Sequence, residues 1–271
     1  MTVISTLITR TGTVHATDSL LTFLRDGQCE PLEWQQTKIV PVHPWRGVMS
    51  FWGLAKINDS WSTLEWLRNQ ARSAGLLRSP EAFAHELAAS LQNALSRLRF
   101  QLITDAGIGI HFSAYEWIAN RWVPELFLIS NWGDTSYTSL RTTGVGVSRE
   151  TYSTVSGQGG NPETTNDEER LTVSAALQAG TWFRYNNGDP RLYNAAANAF
   201  HDMIIELVRR GVLRNIDDIN TIRSLATRPV EIVSAIQRDF CVPGRRVVGG
   251  KIHDLAVTPT GTYSSASGDD T

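Results

Sequence analysis

Thr2-Val3-Ile4-Ser5-Thr6-Leu7-Ile8-Thr9-Arg10 stands at the head of the chain, is dominated by β-branched residues and reads as a strand starting at the second residue. The turn signal Arg10-Thr11-Gly12-Thr13 follows, and Val14 to Ala16 supply a second short strand, so the chain opens on a hairpin. Beyond a polar stretch, Thr37-Lys38-Ile39-Val40-Pro41-Val42 and Gly47-Val48-Met49-Ser50-Phe51-Trp52-Gly53 form a second strand pair. Four strands by residue 53 predict an antiparallel sheet.

The pattern then turns helical. Ser62-Thr63-Leu64-Glu65 is a capping box for a helix ending near Gly75, and Ser79-Pro80-Glu81 opens the next. Along that second helix Phe83, Leu87, Leu91, Leu95 and Leu98 recur every three or four residues as one apolar stripe. Strands return at 107–112 and 125–130, and 131–165, rich in Gly, Ser, Thr and Asn, reads as a long excursion. A short amphipathic segment at 171–177, a strand at 182–185, and a helix opened by Asp189-Pro190 and stopped by Gly211 come next. A further helical region spans 218–240, with a break expected at Pro229, before a final strand or hairpin turned at Pro259–Gly261.

Runs of strands alternating with helix pairs favour an α+β layering over a parallel sheet. The expected architecture is a four-layer αββα sandwich: two antiparallel sheets face to face, flanked by helix pairs. It forms one domain over residues 1–263, with 131–180 as a long insertion and 264–271 as a disordered polar tail.

Composition narrows the function. The chain has 271 residues, with 25 Lys and Arg against 27 Asp and Glu, so the formal charge of −2 gives no field favouring nucleic acid or an anionic membrane. Two cysteines, Cys29 and Cys241, and six scattered histidines without metal-ligand spacing argue against a disulfide scaffold, a metal site or another cofactor. No apolar run is long enough for a membrane span and the first ten residues lack a basic leader region, so a cytoplasmic protein is expected. Gly157-Gln158-Gly159-Gly160 lacks the Gly-Lys-Ser/Thr of a phosphate loop and reads as a turn. His15 and His253 read as ordinary strand residues, and Cys241, which follows a helix, as a buried small hydrophobe and not a nucleophile.

The candidate chemistry sits on the first four strands. Thr2 follows the initiator Met and is small enough for Met1 to be removed. An N-terminal Thr carries nucleophile and base in one residue, because its free amine can take the proton from its own hydroxyl. That amine has an ordinary pKa of about 7.7–8.0, which leaves a useful neutral fraction near neutral pH. Lys38 would stabilise developing alkoxide charge, Asp18 would hold Lys38 charged and oriented, and Gly53 could offer an unobstructed backbone N–H to an oxyanion.

These residues carry a resemblance. Thr2–Ser19, with its Ala-x-Asp-Ser turn, resembles the mature start of a proteasome β subunit. Thr37-Lys38-Ile39 is similar to that family's catalytic Lys motif, and Ser50–Ala55 to its segment bearing the oxyanion Gly. Val248-Gly249-Gly250 and 256–261 resemble its double-Gly strand and terminal hairpin, and the start at Met-Thr is similar to the bacterial Anbu group. The resemblance implies an N-terminal nucleophile (Ntn) hydrolase fold and Thr-dependent hydrolysis of a peptide or protein substrate. It also implies assembly of copies into rings or helical stacks, with an ATPase unfoldase as a possible partner. The pattern departs from the family at Val248, where a Ser is usual, and at Arg245, where an Asp is usual, and a further family Ser falls near Asn187-Gly188-Asp189. Those departures favour the alternative of a non-catalytic assembly subunit, whereas retention of Asp18 and Lys38 favours the enzyme.

Overall fold

A computed structural model describes residues 3–25, 28–57, 60–98, 107–131, 145–149, 167–187, 190–213, 218–242 and 248–265, with the backbone alone at 22–25, 28–34, 167–169 and 190–192. The described chain is α+β, with two five-stranded antiparallel sheets and five α-helices. It divides into two compact units, one of Met1–Ile39, Arg184–Thr258 and Tyr263–Thr271, the other of Val40–Phe183 and Pro259–Thr262.

In the first unit, β1 (Ile4–Ile8) and β2 (Thr13–Asp18) form the expected opening hairpin, with Thr9 N–H and Oγ both donating to the Gly12 carbonyl at the turn. The register pairs Ile4 with Thr17 and Ile8 with Thr13. The polar stretch that follows is not a loop: β3 (Leu20–Arg25) and β4 (Gln28–Gln35) pair as a separate two-stranded ribbon. Its signal is masked by Pro31, which stands opposite Thr22 beside a register shift, where a missing N–H is tolerated. The first sheet runs β12 (Phe183–Asn187), β1, β2, β13 (Ile252–Val257) and β14 (Tyr263–Ser264). The four early strands are thus divided between the two sheets. Ser264, expected in the tail, ends β14, and 266–271 lie outside the described residues.

Two further helices belong to this unit, labelled α4 (Pro190–Arg209) and α5 (Ile219–Phe240) in chain order. Asp218 caps α5, its carboxylate accepting the N–H groups of Asn220 and Thr221 at 3.0 and 2.9 Å. Ile222, Leu225, Ala226, Val230 and Val233 are buried at helical spacing, and α5 packs on β1, β2 and β13. The expected break at Pro229 does not occur. Proline cannot donate to the carbonyl four residues back, that of Leu225. Here His201 Nε2 of α4 approaches that oxygen at 3.2 Å and satisfies it, so the helix continues.

The second unit's sheet runs β11 (Gly146–Arg149), β10 (Arg121–Ser130), β9 (Ile108–Ile118), β6 (Gly47–Gly53) and β5 (Ile39–Val42). A short ribbon, β7 (Lys56–Ile57) with β8 (Trp61–Ser62), leads into the helices. The β9–β10 hairpin is longer than its apolar runs suggest. Its two-residue turn, Ala119-Asn120, has φ of +46° and +62°, the positive pair that tight hairpin turns need.

Both serine caps hold in this unit, although the Glu65 carboxylate, expected to reach back and complete a capping box, accepts from Arg68 at 2.8 Å. Ser62 accepts the Glu65 N–H at the start of α1 (Thr63–Ser73), and Ser79 accepts the Ala82 N–H at the start of α2 (Pro80–Arg97). Phe83, Leu87 and Leu91 of the α2 stripe are buried in one core cluster with Phe112 and Phe127 of the sheet, Phe83 meeting Phe112 edge-on, and each contributes about 1.5–3 kcal/mol. The amphipathic segment near 171 proves to be a full helix, α3 (Asp167–Gln178). It is tied to β10 by Arg170, which pairs with the buried Glu125 at 2.6 Å and also with Glu116. Glu125 also faces Arg149 at 3.3 Å, and Arg149 reaches Glu81 at 2.8 Å.

Candidate functional site

The hairpin register builds the centre of the site. Because Ile4 pairs with Thr17, Val3 lies level with Asp18, and the Val3 N–H donates to Asp18 Oδ1 at 3.1 Å. The β3–β4 ribbon then carries the chain out and back. Leu20 pairs with Gln35, the Gln36 N–H donates to the Ser19 carbonyl, and Lys38 returns beside the end of β2.

There Lys38 Nζ donates to the Leu20 carbonyl at 2.8 Å and to Asp18 Oδ1 at 3.3 Å. Both side chains are almost wholly buried, Lys38 with 2% of its side chain exposed and Asp18 with none. The other carboxylate oxygen, Oδ2, accepts the Gly249 N–H at 3.1 Å. Asp18 thus takes donors on both oxygens, as a buried carboxylate must. Burial pushes the Lys38 ammonium below its ordinary value, while the charge of Asp18 and its hydrogen bond oppose that shift. A lysine so placed can support negative charge on a nearby oxygen and can exchange a proton more readily than a solvated one.

Of the four residues expected to form the site, Asp18 and Lys38 are brought together. Thr2 lies outside the described residues, one position before the Val3 amide that Asp18 holds. Gly53 is described within the second unit, at the exposed end of β6, paired with Ile108. Its φ is +86°, and a Cβ there would sit 1.9 Å from the Gly107 carbonyl oxygen, so no other residue fits without moving backbone.

The departures from the family pattern are only partly in view. Val248 is fully buried, and its N–H donates to Gln237 Oε1 at 2.8 Å. Arg245, Gly188 and Asp189 lie outside the described residues, and Asn187 ends β12. His253, expected to be an ordinary strand residue, pairs with Thr17, whereas Cys241, expected to be buried, is exposed because it lies just past the end of α5. Burial and then Lys251 hold its imidazole below the ordinary range, and Lys38 adds to that effect while Asp254 opposes it.

Sequence reasoning missed two polar residues around the pair. Gln35 Oε1 accepts both Ser19 Oγ and the Lys251 N–H at 3.0 Å, and Gln237 holds Val248. Gln237 carried a usable signal, because a Gln three residues past Ser234 and four past Val233 falls on the buried stripe of α5. Among the described residues no group of three or more His, Cys, Asp or Glu could hold a metal ion, and no helix is long and apolar enough to cross a membrane.

Compared by sequence, the chain matches no protein-family model and no curated protein. Its fold does match solved structures. Anbu (ancestral beta-subunit) from Yersinia bercovieri superposes with a TM-score of 0.50 at 9% identity, over 98% of this chain and 88% of that one. Two structures of Anbu from Hyphomicrobium sp. strain MC1, one of them a Gly-1 mutant, align at TM-scores of 0.46 and 0.43 with 12% and 13% identity. They cover 100% and 99% of this chain, and 89% and 88% of their own. The chain therefore shares the α+β fold of the Yersinia bercovieri Anbu structure, the group that its opening hairpin and lysine strand resemble.

Proposed function

We propose that the protein is a threonine-dependent peptide or amide hydrolase whose nucleophile is the Thr2 hydroxyl, exposed to its own amine by removal of Met1. The observation that carries this reading is that one carboxylate oxygen of Asp18 binds both the Val3 N–H and Lys38 Nζ. The residue after Thr2 and the candidate lysine are thereby fixed to a common point.

In the proposed cycle the Thr2 amine takes the hydroxyl proton and the oxygen attacks the substrate carbonyl. Lys38 supports the alkoxide, the Gly53 N–H receives the oxyanion, and the amine returns the proton to the leaving nitrogen. Water then hydrolyses the Thr2 ester. Substrates would be peptides or proteins, the working form a homo-oligomer in a ring or helical stack within the cytoplasm, and an ATPase unfoldase a possible feeder. The test is peptide hydrolysis by wild type and Thr2→Ala together with the intact mass of each. Loss of activity in Thr2→Ala with Met1 absent from active wild type supports the reading, and unchanged activity or retained Met1 overturns it.

The buried Val248, standing where the resembled family has a Ser, favours a second reading: a non-catalytic assembly subunit that keeps the fold for packing. Under it, the pure protein assembles but reacts with no threonine-selective electrophile.

A further inference from the structure

We propose that Gln237 is a positioning residue for the Asp18–Lys38 pair, acting through the backbone of Val248 and Gly249; this rests on the hydrolase reading above. Gln237 Oε1 accepts the Val248 N–H at 2.8 Å, and the next N–H along the chain, that of Gly249, donates to Asp18 Oδ2 at 3.1 Å. The two donors sit on adjacent residues, so fixing the first restricts the direction of the second.

Val248 presents no hydrogen-bonding side chain and is fully buried, so its own amide needs an acceptor from elsewhere. Gln237 supplies it from a helix face whose other buried members, among them Ile222, Val230 and Val233, are apolar apart from Ser234. A buried amide side chain at such a position is costly unless it is paired. Farther along the segment, Gln35 Oε1 holds the Lys251 N–H. Between these anchors Gly250 adopts φ +76°, with a Cβ there only 2.6 Å from Ser19 Oγ. Residues 248–251 are thus pinned at both ends, and one result of the pinning is a donor aimed at the carboxylate that binds the candidate lysine.

Two variants separate positioning from packing. Gln237→Met keeps length and removes the acceptor, whereas Gln237→Glu keeps a carbonyl-type acceptor. The readouts are the rate of Thr2 acylation by a β-lactone selective for N-terminal threonine, amide hydrogen exchange at Gly249, and melting temperature. A fall of tenfold or more in labelling in Gln237→Met, with Gln237→Glu within about threefold of wild type, is expected. Faster Gly249 exchange is expected in the Met variant alone. Wild-type labelling in Gln237→Met, or an equal fall in both variants, overturns the proposal. If wild type itself fails to label, the hydrolase reading falls, and Gly249 exchange decides the positioning role: unchanged exchange in Gln237→Met refutes it. Should Gln237→Met not fold, Gln237→Asn, one methylene too short to reach Val248, is expected to behave as the Met variant on all three readouts, and wild-type behaviour overturns the proposal.

Discussion

His201 donates its Nε2–H to the carbonyl of Leu225, the oxygen that Pro229 leaves without a helical partner. A carbonyl can only accept, so Nε2 carries the proton and Nδ1 is left to accept from Arg184, whose guanidinium also reaches Asn198. The neutral imidazole that this demands agrees with its environment: burial first, and then Arg184, pull His201 down to about 4. One ring therefore repairs a helix in α5 and anchors a side chain of β12.

Replacing that ring should expose the defect it repairs. His201→Ala is expected to lower stability by about 2 kcal/mol, since a buried carbonyl and a guanidinium both lose a partner. Pro229→Ala returns an N–H to Leu225 and should recover part of that loss, with a coupling of about 1 kcal/mol in a double-mutant cycle followed by urea unfolding. Additive effects would show that the two residues act separately.

Acid should weaken the fold before carboxylates titrate. His111, buried on β9, is pulled by burial down to about 3, and His201 to about 4, against an ordinary value near 6.5. Between those values the unfolded chain binds more protons than the folded one. The stabilisation is complete above about pH 6.5 and is lost progressively as pH falls toward 4 and 3. Urea midpoints measured from pH 7.5 to 4.5 should decline, and the decline should be smaller in His111→Gln than in wild type. Equal declines contradict the assignment.

The Asp18–Lys38 pair should show strong non-additivity. Asp18→Asn or Lys38→Met leaves one buried charge without its partner, at a cost of about 3–5 kcal/mol. The double variant leaves neither and should cost less than the sum of the two, read from chemical unfolding. A double variant as damaging as that sum would place the two groups in separate environments.

Gly53→Ala tests the backbone of the candidate oxyanion site independently of activity. With φ +86° and a Cβ 1.9 Å from the Gly107 oxygen, the substitution should cost more than about 2 kcal/mol. Gly146→Ala, where an added Cβ meets nothing within 4 Å, should change stability by less than about 0.5 kcal/mol. Comparable melting temperatures for the two variants contradict this reading.

Local chemistry was legible wherever a residue's partner lies near it in sequence. Ser62 and Ser79 announce helices because a cap bonds an amide three residues away, and the β1–β2 hairpin is announced by its own turn. Asp18 and Lys38 were legible as residue types, and their pairing became credible only through the resemblance. The ribbon that brings Lys38 back was not, because Gln28–Gln35 alternates weakly and contains a proline. Pro229 misled for a related reason, since its compensation comes from His201, 28 residues earlier on another helix. The partners of Gln237 and Gln35 were not legible because each accepts a backbone N–H from another segment, and such a donor leaves no trace in residue type; only Gln237's place on the buried stripe of α5 marked it.

The most direct measurement is peptide mapping of the purified protein after reaction with a β-lactone selective for N-terminal threonine. A single adduct on a peptide beginning at Thr2, absent in Lys38→Ala, is expected. An unmodified peptide that still carries Met1, or an adduct at any other residue, contradicts a threonine nucleophile supported by Lys38.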